Sequence, residues 1–353
     1  MIATTRIMVS ALRHRYRAPF QKFPGSFDDI LRASLAQLWT GKFYRAALGH
    51  YRHFWVRDFG IALPGILAAG FRDRALASLQ FAFAAYRRVN MVTTVVFSNG
   101  LASNLPGPAL DSLGWLLASL RTLDARALVD EHRTLLTREL SRIKATVLDA
   151  AGFPKHHLRS IGLRDHIRYQ ASCYDAAIAW RMADDAAALG LADLPRFSPD
   201  AFRSRYWTGD FYREDLVDPA RWSAEANLVP FWFGLDTDAD RFRAATAVIW
   251  HDGLDQPVPL AYARERHSRE IWQVRMLTPN SHGTCRWPIL GVMFAELLER
   301  FGDSRVADVR QRLRTAIERF GYFPELLTPA GELYQAPCYR SDAGMLWGSR
   351  LIQ

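Results

Sequence analysis

The chain has 353 residues, a formal charge of +9, and 49% hydrophobic and 12% aromatic residues, a content that supports a large packed core and excludes general disorder. Cys173, Cys285 and Cys338 form a sparse, odd set with no paired spacing, which excludes a disulfide framework and favours a reducing compartment. Met1 to Arg17 lacks the apolar core of a signal peptide and no run reaches the length of a membrane span, so the expected setting is the cytoplasm with no membrane partner. The arginines are scattered among Asp and Glu, with no dense basic run beyond Arg13-His14-Arg15-Tyr16-Arg17, so no nucleic-acid partner is expected either.

Apolar residues at helical spacing predict a first helix over Phe27–Trp39, with Ser26 as its cap and Gly41 as its stop. The next stretch, Tyr51-Arg52-His53-Phe54-Trp55-Val56-Arg57-Asp58-Phe59-Gly60, breaks an apolar run with an adjacent Arg and Asp. Burying such a pair is costly unless the charges answer each other or a polar ligand. Carboxylate and guanidinium beside a Trp face suit a sugar; equally, Asp58 is an N-cap with an Arg partner. Helices are then predicted over Phe59–Ala69, Arg74–Val89, Ala109–Leu123, Ala125–Ala150, Ile167–Leu189, Pro199–Arg205, Glu225–Leu235, Asp238–His251, Pro288–Phe301, Ser304–Phe320 and Ser341–Ile352. Asn90–Pro108, with Val95-Val96-Phe97, reads as a short strand pair or a loop over the active face.

About a dozen helices with little sheet define an all-α protein. Helix pairs joined by short links, with Gly70, Gly190 and Gly302 as stops and no strict repeat period, fit closure into an (α/α) barrel better than a solenoid. No low-complexity linker divides the chain, so one domain over residues 1–353 is expected, with 1–25 as an N-terminal extension. The 11 Trp residues suit a carbohydrate cleft or a large helical core.

Near the C-terminus, Glu325 stands in Tyr322-Phe323-Pro324-Glu325-Leu326-Leu327, an apolar collar that raises a carboxyl pKa and suits acid or base work. Together, Trp55-Val56-Arg57-Asp58-Phe59, Asp111-Ser112-Leu113-Gly114-Trp115, His282-Gly283-Thr284-Cys285-Arg286-Trp287-Pro288-Ile289 and Phe323-Pro324-Glu325-Leu326-Leu327-Thr328-Pro329-Ala330-Gly331 resemble, in order, motifs of the six-hairpin glycosidases. That group includes glucoamylases, mannosylglycerate hydrolases, glycogen debranching enzymes and neutral invertases. The first motif is similar to its W-x-R-D segment and the last to its F-x-E-x-x-x-P-x-G segment; in the third, the Gly-Pro pair of R-G-P-x-W-x is rearranged.

The resemblance implies an (α/α)6 barrel and inverting hydrolysis of a small α-linked glycoside, with an acid and a base carboxylate roughly 6.5–9.5 Å apart. Glu325 matches the base position. Asp165, in Gly162-Leu163-Arg164-Asp165-His166, is the favoured acid, although the Trp of the group's G-x-W-x-D segment is missing. Asp175 and Glu225 stay open as acids, and Asp165 also reads as an ion-pair member or helix cap. Trp55, Arg57, Asp58, Asp111, Trp115 and Trp287 are the expected substrate contacts, and Asp111 reads equally as a helix cap. Tyr169, Gln170, His282 and Arg286 rank second. No HExxH, Gly-rich phosphate loop or Asp-rich magnesium motif occurs, so neither metal nor cofactor is expected. Two rival readings are an epimerase using paired histidines (His53, His166, His282) and a sugar-binding protein without catalysis.

Overall fold

The computed structural model describes residues 9–13, 15, 16, 20, 22–105, 110–157, 159, 160, 163, 164, 167, 169–191, 193–218 and 221–352. Asp165 and His166 lie outside the described residues.

Six elements are buried almost all round and close a ring. They are α2 (Val56–Ala68), α4 (Leu110–Thr122), α7 (Cys173–Ala188), α9 (Ala224–Trp232), α12 (Pro288–Arg300) and a 3₁₀ helix, Leu346–Leu351. Each packs on the next in that order, and the 3₁₀ helix returns to α2. Every residue of α9 and every residue of α4 from Asp111 to Leu120 is buried, as expected of helices with neighbours on all sides.

Outside the ring lie α1 (Phe27–Leu38), α3 (Arg72–Val89), the pair α5 (Arg126–Glu131) and α6 (Arg133–Thr146), α8 (Pro199–Tyr206), α10 (Ala239–His251) and α13 (Val306–Phe320). These are amphipathic: α13 buries the stripe Val309, Leu313, Ala316, Ile317 and Phe320 and leaves its arginines outside. The result is an all-α (α/α)6 barrel. One short helix, α11 (Trp272–Leu277), sits in a connection. Among the described residues no helix is long and apolar enough to cross a membrane.

Several boundaries differ from the sequence reading. Helix α7 starts at Cys173 rather than Ile167, because Ser172 caps it through the backbone N–H of Asp175. The residues before it pair as β4 (Arg159–Ser160) with β5 (Tyr169–Gln170). The expected helix over Ser341–Ile352 is a 3₁₀ turn from Leu346, since Gly344 takes a left-handed φ of 59° just before it. The predicted Ala125–Ala150 helix breaks at His132 into α5 and α6. The segment after α3 is a small sheet in which β2 (Val95–Val96) pairs with β1 (Phe54–Trp55) and β3 (Ala102–Ser103).

The ring closes through a close backbone approach. A Cβ on Gly65 of α2 would stand 2.0 Å from the carbonyl oxygen of Ser349. Gly65→Ala should therefore destabilise the barrel by roughly 1–3 kcal/mol. Thermal denaturation reads this as a lower Tm, and an unchanged Tm would contradict the contact.

Candidate active site

The first turns of α2, α4, α7 and α9 each carry a carboxylate: Asp58, Asp111, Asp175 and Glu225. A helix N-terminus presents unpaired N–H groups and the positive end of its dipole, which favours anions there. At this end of the ring a cavity of about 290 Å³ opens, lined by Trp55 at the N-cap of α2, by Val56, Arg57, Asp58 and Ile61 of α2 and by Asp111 and Ser112 of α4. The connections add Tyr51, Leu163, Tyr262, His282, Trp287, Glu325 and Tyr339, and the ring's last turn adds Trp347.

Asp58 is the third residue of α2, and the N-cap position belongs to Trp55, which makes no side-chain cap. The N-cap alternative for Asp58 is thus set aside. Arg57 is held by Asp111 through Nε–Oδ2 at 2.6 Å and donates from Nη1 to the Leu163 carbonyl at 3.1 Å. The Tyr174 hydroxyl donates to the same Asp111 oxygen at 2.9 Å. Tyr51 meets Trp55 edge to face at 5.6 Å, and His282 tilts over Trp287 at 4.5 Å, so the walls offer aromatic faces between the acids. The Trp287 indole donates to the Ser281 carbonyl at 2.6 Å, which fixes its ring.

Glu325 is 2% exposed and shares this cavity with Asp58. Burial, then the neighbouring Asp342 charge, pushes its carboxyl up to about 8, with Asp58 adding to the rise. Two donors oppose that rise: the Tyr339 hydroxyl to Oε1 at 2.5 Å and the Asp342 backbone N–H to Oε2 at 2.7 Å. Burial and the neighbouring carboxylates thus favour the protonated form of Glu325.

A second polar cluster lies behind the cavity wall. Arg164, fully buried, pairs with Glu214 and stands 3.6 Å (Nε–Oε1) from Glu225. Its guanidinium stacks 4.4 Å above the Tyr262 ring and donates to the His282 carbonyl at 3.2 Å. Glu225 accepts from the Tyr169 and Tyr262 hydroxyls at 2.9 and 2.5 Å.

Of the residues expected from sequence, Trp55, Arg57, Asp58, Asp111, Trp287, Glu325 and His282 meet in the one cavity. Trp115 does not. Its indole donates to Tyr174 at 3.3 Å and packs on Trp232 and Phe233, so it belongs to the core between inner helices. Asp175 is bonded to Ser172 at 2.8 Å, and Glu225 to its tyrosines, both outside the cavity lining. Arg286 donates to the Leu254 carbonyl, Tyr169 is buried against Glu225, and Gln170 faces His156; none of the three lines the cavity. Tyr51, Tyr262, Tyr339 and Asp342 were not singled out from sequence. Tyr51 opens the Tyr51–Gly60 stretch ahead of the first motif, while the others are recruited by long-range contacts without a local signature. Among the described residues no group of three or more His, Cys, Asp or Glu is placed to hold a metal ion.

Neither a protein-family model nor a curated protein sequence matches the chain. Solved structures do. The GH63 mannosylglycerate hydrolase from Thermus thermophilus, in complex with Tris and D-glycerate, is 15% identical, with a TM-score of 0.62 over 92% of this chain and 98% of its own. A wild-type glycosidase matches at 16% identity and a TM-score of 0.61, over 92% of this chain and 95% of its own. A bacterial glucoamylase complexed with acarbose matches at 14% identity and a TM-score of 0.60, over 91% of this chain but 54% of its own length. With its closed ring of six inner elements, the chain shares the (α/α)6 barrel fold of these solved glycosidase structures.

Proposed function

We propose that this protein is a glycoside hydrolase that cleaves a small α-linked glycoside with inversion, working as one barrel domain over residues 1–353. In this reading residues 1–25 form an N-terminal extension, of which Lys22 and Phe23 are bonded to Arg319 and Gly321. The observation that carries the function is the buried Glu325 sharing an acid- and aromatic-lined cavity with Asp58 at the helix N-termini. At about 290 Å³ the cavity falls just below the usual ligand-pocket range, roughly 300–1,000 Å³, which favours a small glycoside over a polymer.

Glu325 is the general base that takes a proton from the attacking water. Asp165 is the proposed acid: its neighbour Leu163 lines the cavity and Arg164 anchors that segment, whereas Asp175 and Glu225 are already engaged by Ser172 and the tyrosines. Trp55 and Trp287 offer stacking faces and Asp58 and Arg57 polar contacts to hydroxyls. Arg57 answers Asp111, and the described lining carries the acids Asp58, Asp111 and Glu325. This balance favours a neutral aglycone. Side chains supply both proton transfers, so the reaction as written needs no cofactor.

The epimerase reading needs paired histidines across the cavity. His53 is bonded to Ser98 away from the lining, and burial and Arg52 push its imidazole down to about 4. The hydrolase is tested by incubating the protein with α-glucosides, α-mannosides and glycosylglycerates and following products by anomer-resolved NMR. Release of the β-anomer supports the proposal; the α-anomer, or no turnover of any glycoside, refutes it.

The pH dependence follows from Glu325. A base must be ionised to work, so kcat/KM should rise with pH and level off above about 8. A rate that instead falls through that pH would make Glu325 the proton donor.

A further inference from the structure

Asp342 is fully buried directly behind Glu325, on the segment that leads into the ring's last turn. Its carboxylate gathers chain from the opposite end of the sequence. Oδ2 accepts from the backbone N–H groups of His50 at 2.7 Å and Tyr51 at 3.0 Å, and Oδ1 from that of Ala343 at 2.7 Å. The His50 ring nitrogen Nδ1 lies 3.3 Å from Oδ2. This pocket solvates an anion with N–H groups. The approach is close: a Cβ on Gly49 would lie 2.0 Å from Asp342 Oδ1. Meanwhile the Asp342 main chain brackets Glu325, its N–H donating to Oε2 and its carbonyl accepting from the Glu325 N–H at 3.1 Å.

We infer that Asp342 is a positioning residue that acts through Glu325, its buried carboxylate holding the proton on the catalytic carboxyl and setting the pH range in which the base can work. This rests on the reading of Glu325 as the base. Its physical ground is that two neighbouring buried carboxyls in low dielectric disfavour joint ionisation. Among the described residues, the charged and titratable groups facing Glu325 are Asp342, Tyr339 and, from α2, Asp58, with Arg57, Asp111 and His282 on the same cavity; Asp342 itself is also faced by His50, Arg45 and Tyr322. Tyr339 donates to Glu325 and Arg57 is paired with Asp111, so Asp58 and Asp342 are the anions that oppose its ionisation. Asp342 is in addition joined to Glu325 by the backbone bracket.

The test compares wild type, Asp342→Asn, and both again on a Glu325→Gln background. Asp342→Asn should move the acid limb of kcat/KM down by roughly 1–2 pH units while the plateau above pH 9 changes less than tenfold. Independently of activity, urea unfolding should show that Asp342→Asn destabilises less at pH 9 than at pH 5, and that this pH dependence vanishes on the Glu325→Gln background. Should Asp342→Asn not fold, Gly49→Ala displaces the carboxylate and keeps its charge; the limb should again move down, by less. An unmoved limb together with a pH-independent stability effect overturns the inference. If no glycoside is hydrolysed but the stability coupling is present, the base assignment fails while the coupling between the two carboxyls stands.

Discussion

Glu325→Gln should lower kcat by roughly 10²–10⁴-fold while leaving sugar binding in place, because an amide cannot take the proton of the attacking water. The substitution is nearly isosteric and its hydrogen bonds can be kept. The amide oxygen accepts the Asp342 N–H, and the amide nitrogen donates to the Tyr339 oxygen, whose own hydrogen turns toward Tyr51, 3.2 Å away. The same variant carries a stability signature. The carboxyl of Glu325 is raised from an ordinary value of 4.5 to about 8 in the fold, so the native state holds a proton that the unfolded chain releases. Wild-type stability therefore falls as pH rises from about 4.5 to about 8. Glutamine mimics the protonated form and escapes that loss. The variant should match wild type at pH 4 and exceed it by a few kcal/mol at pH 9. Urea unfolding across that range, with isothermal titration of the reaction's sugar product at neutral pH, measures both effects. Parallel stability curves, or retained turnover, would refute the role of Glu325.

Arg164→Met should be the most destabilising change, at roughly 3–5 kcal/mol, because it strands buried carboxylates without their counter-charge. Glu214 and Glu225 are 1% and 2% exposed, and both lie against this one guanidinium. Methionine fills much of the volume but leaves two like charges in one chamber and frees the His282 carbonyl. The deficit should shrink at acidic pH, where a carboxyl can take a proton in place of a counter-ion. Adding Glu214→Gln to Arg164→Met should recover part of the loss, since the two sites share one network. Chemical denaturation of the single and double variants measures this; equal stability of Arg164→Met and wild type would show that the cluster does not depend on its arginine.

The structure also explains where sequence reading stopped. The true start of α7 was written in the chain, since Ser172-x-x-Asp175 is a capping pattern, yet the apolar residues from Ile167 onward imitate one more helical turn. Gly344 and Gly348 likewise argued against a full helix at the C-terminus. Trp115 shows a different limit. In sequence a Trp four residues after an active-site acid has no mark that separates a stacking platform from core, and here the neighbouring helices claim it.

By itself the sequence determined the all-α class, the pairing of helices and the place of Glu325 in an apolar setting, because periodicity, caps and flanking residues are local properties of the chain. The tertiary structure alone decided that Glu325, Asp58 and Trp287 share one cavity, that Trp115 does not, and that Asp342 stands behind Glu325 while holding His50 and Tyr51. These relations join residues up to 292 positions apart. They arise from closure of the ring, which brings the two ends of the barrel sequence together, and a buried charge acts over ångströms of space rather than over positions in the chain.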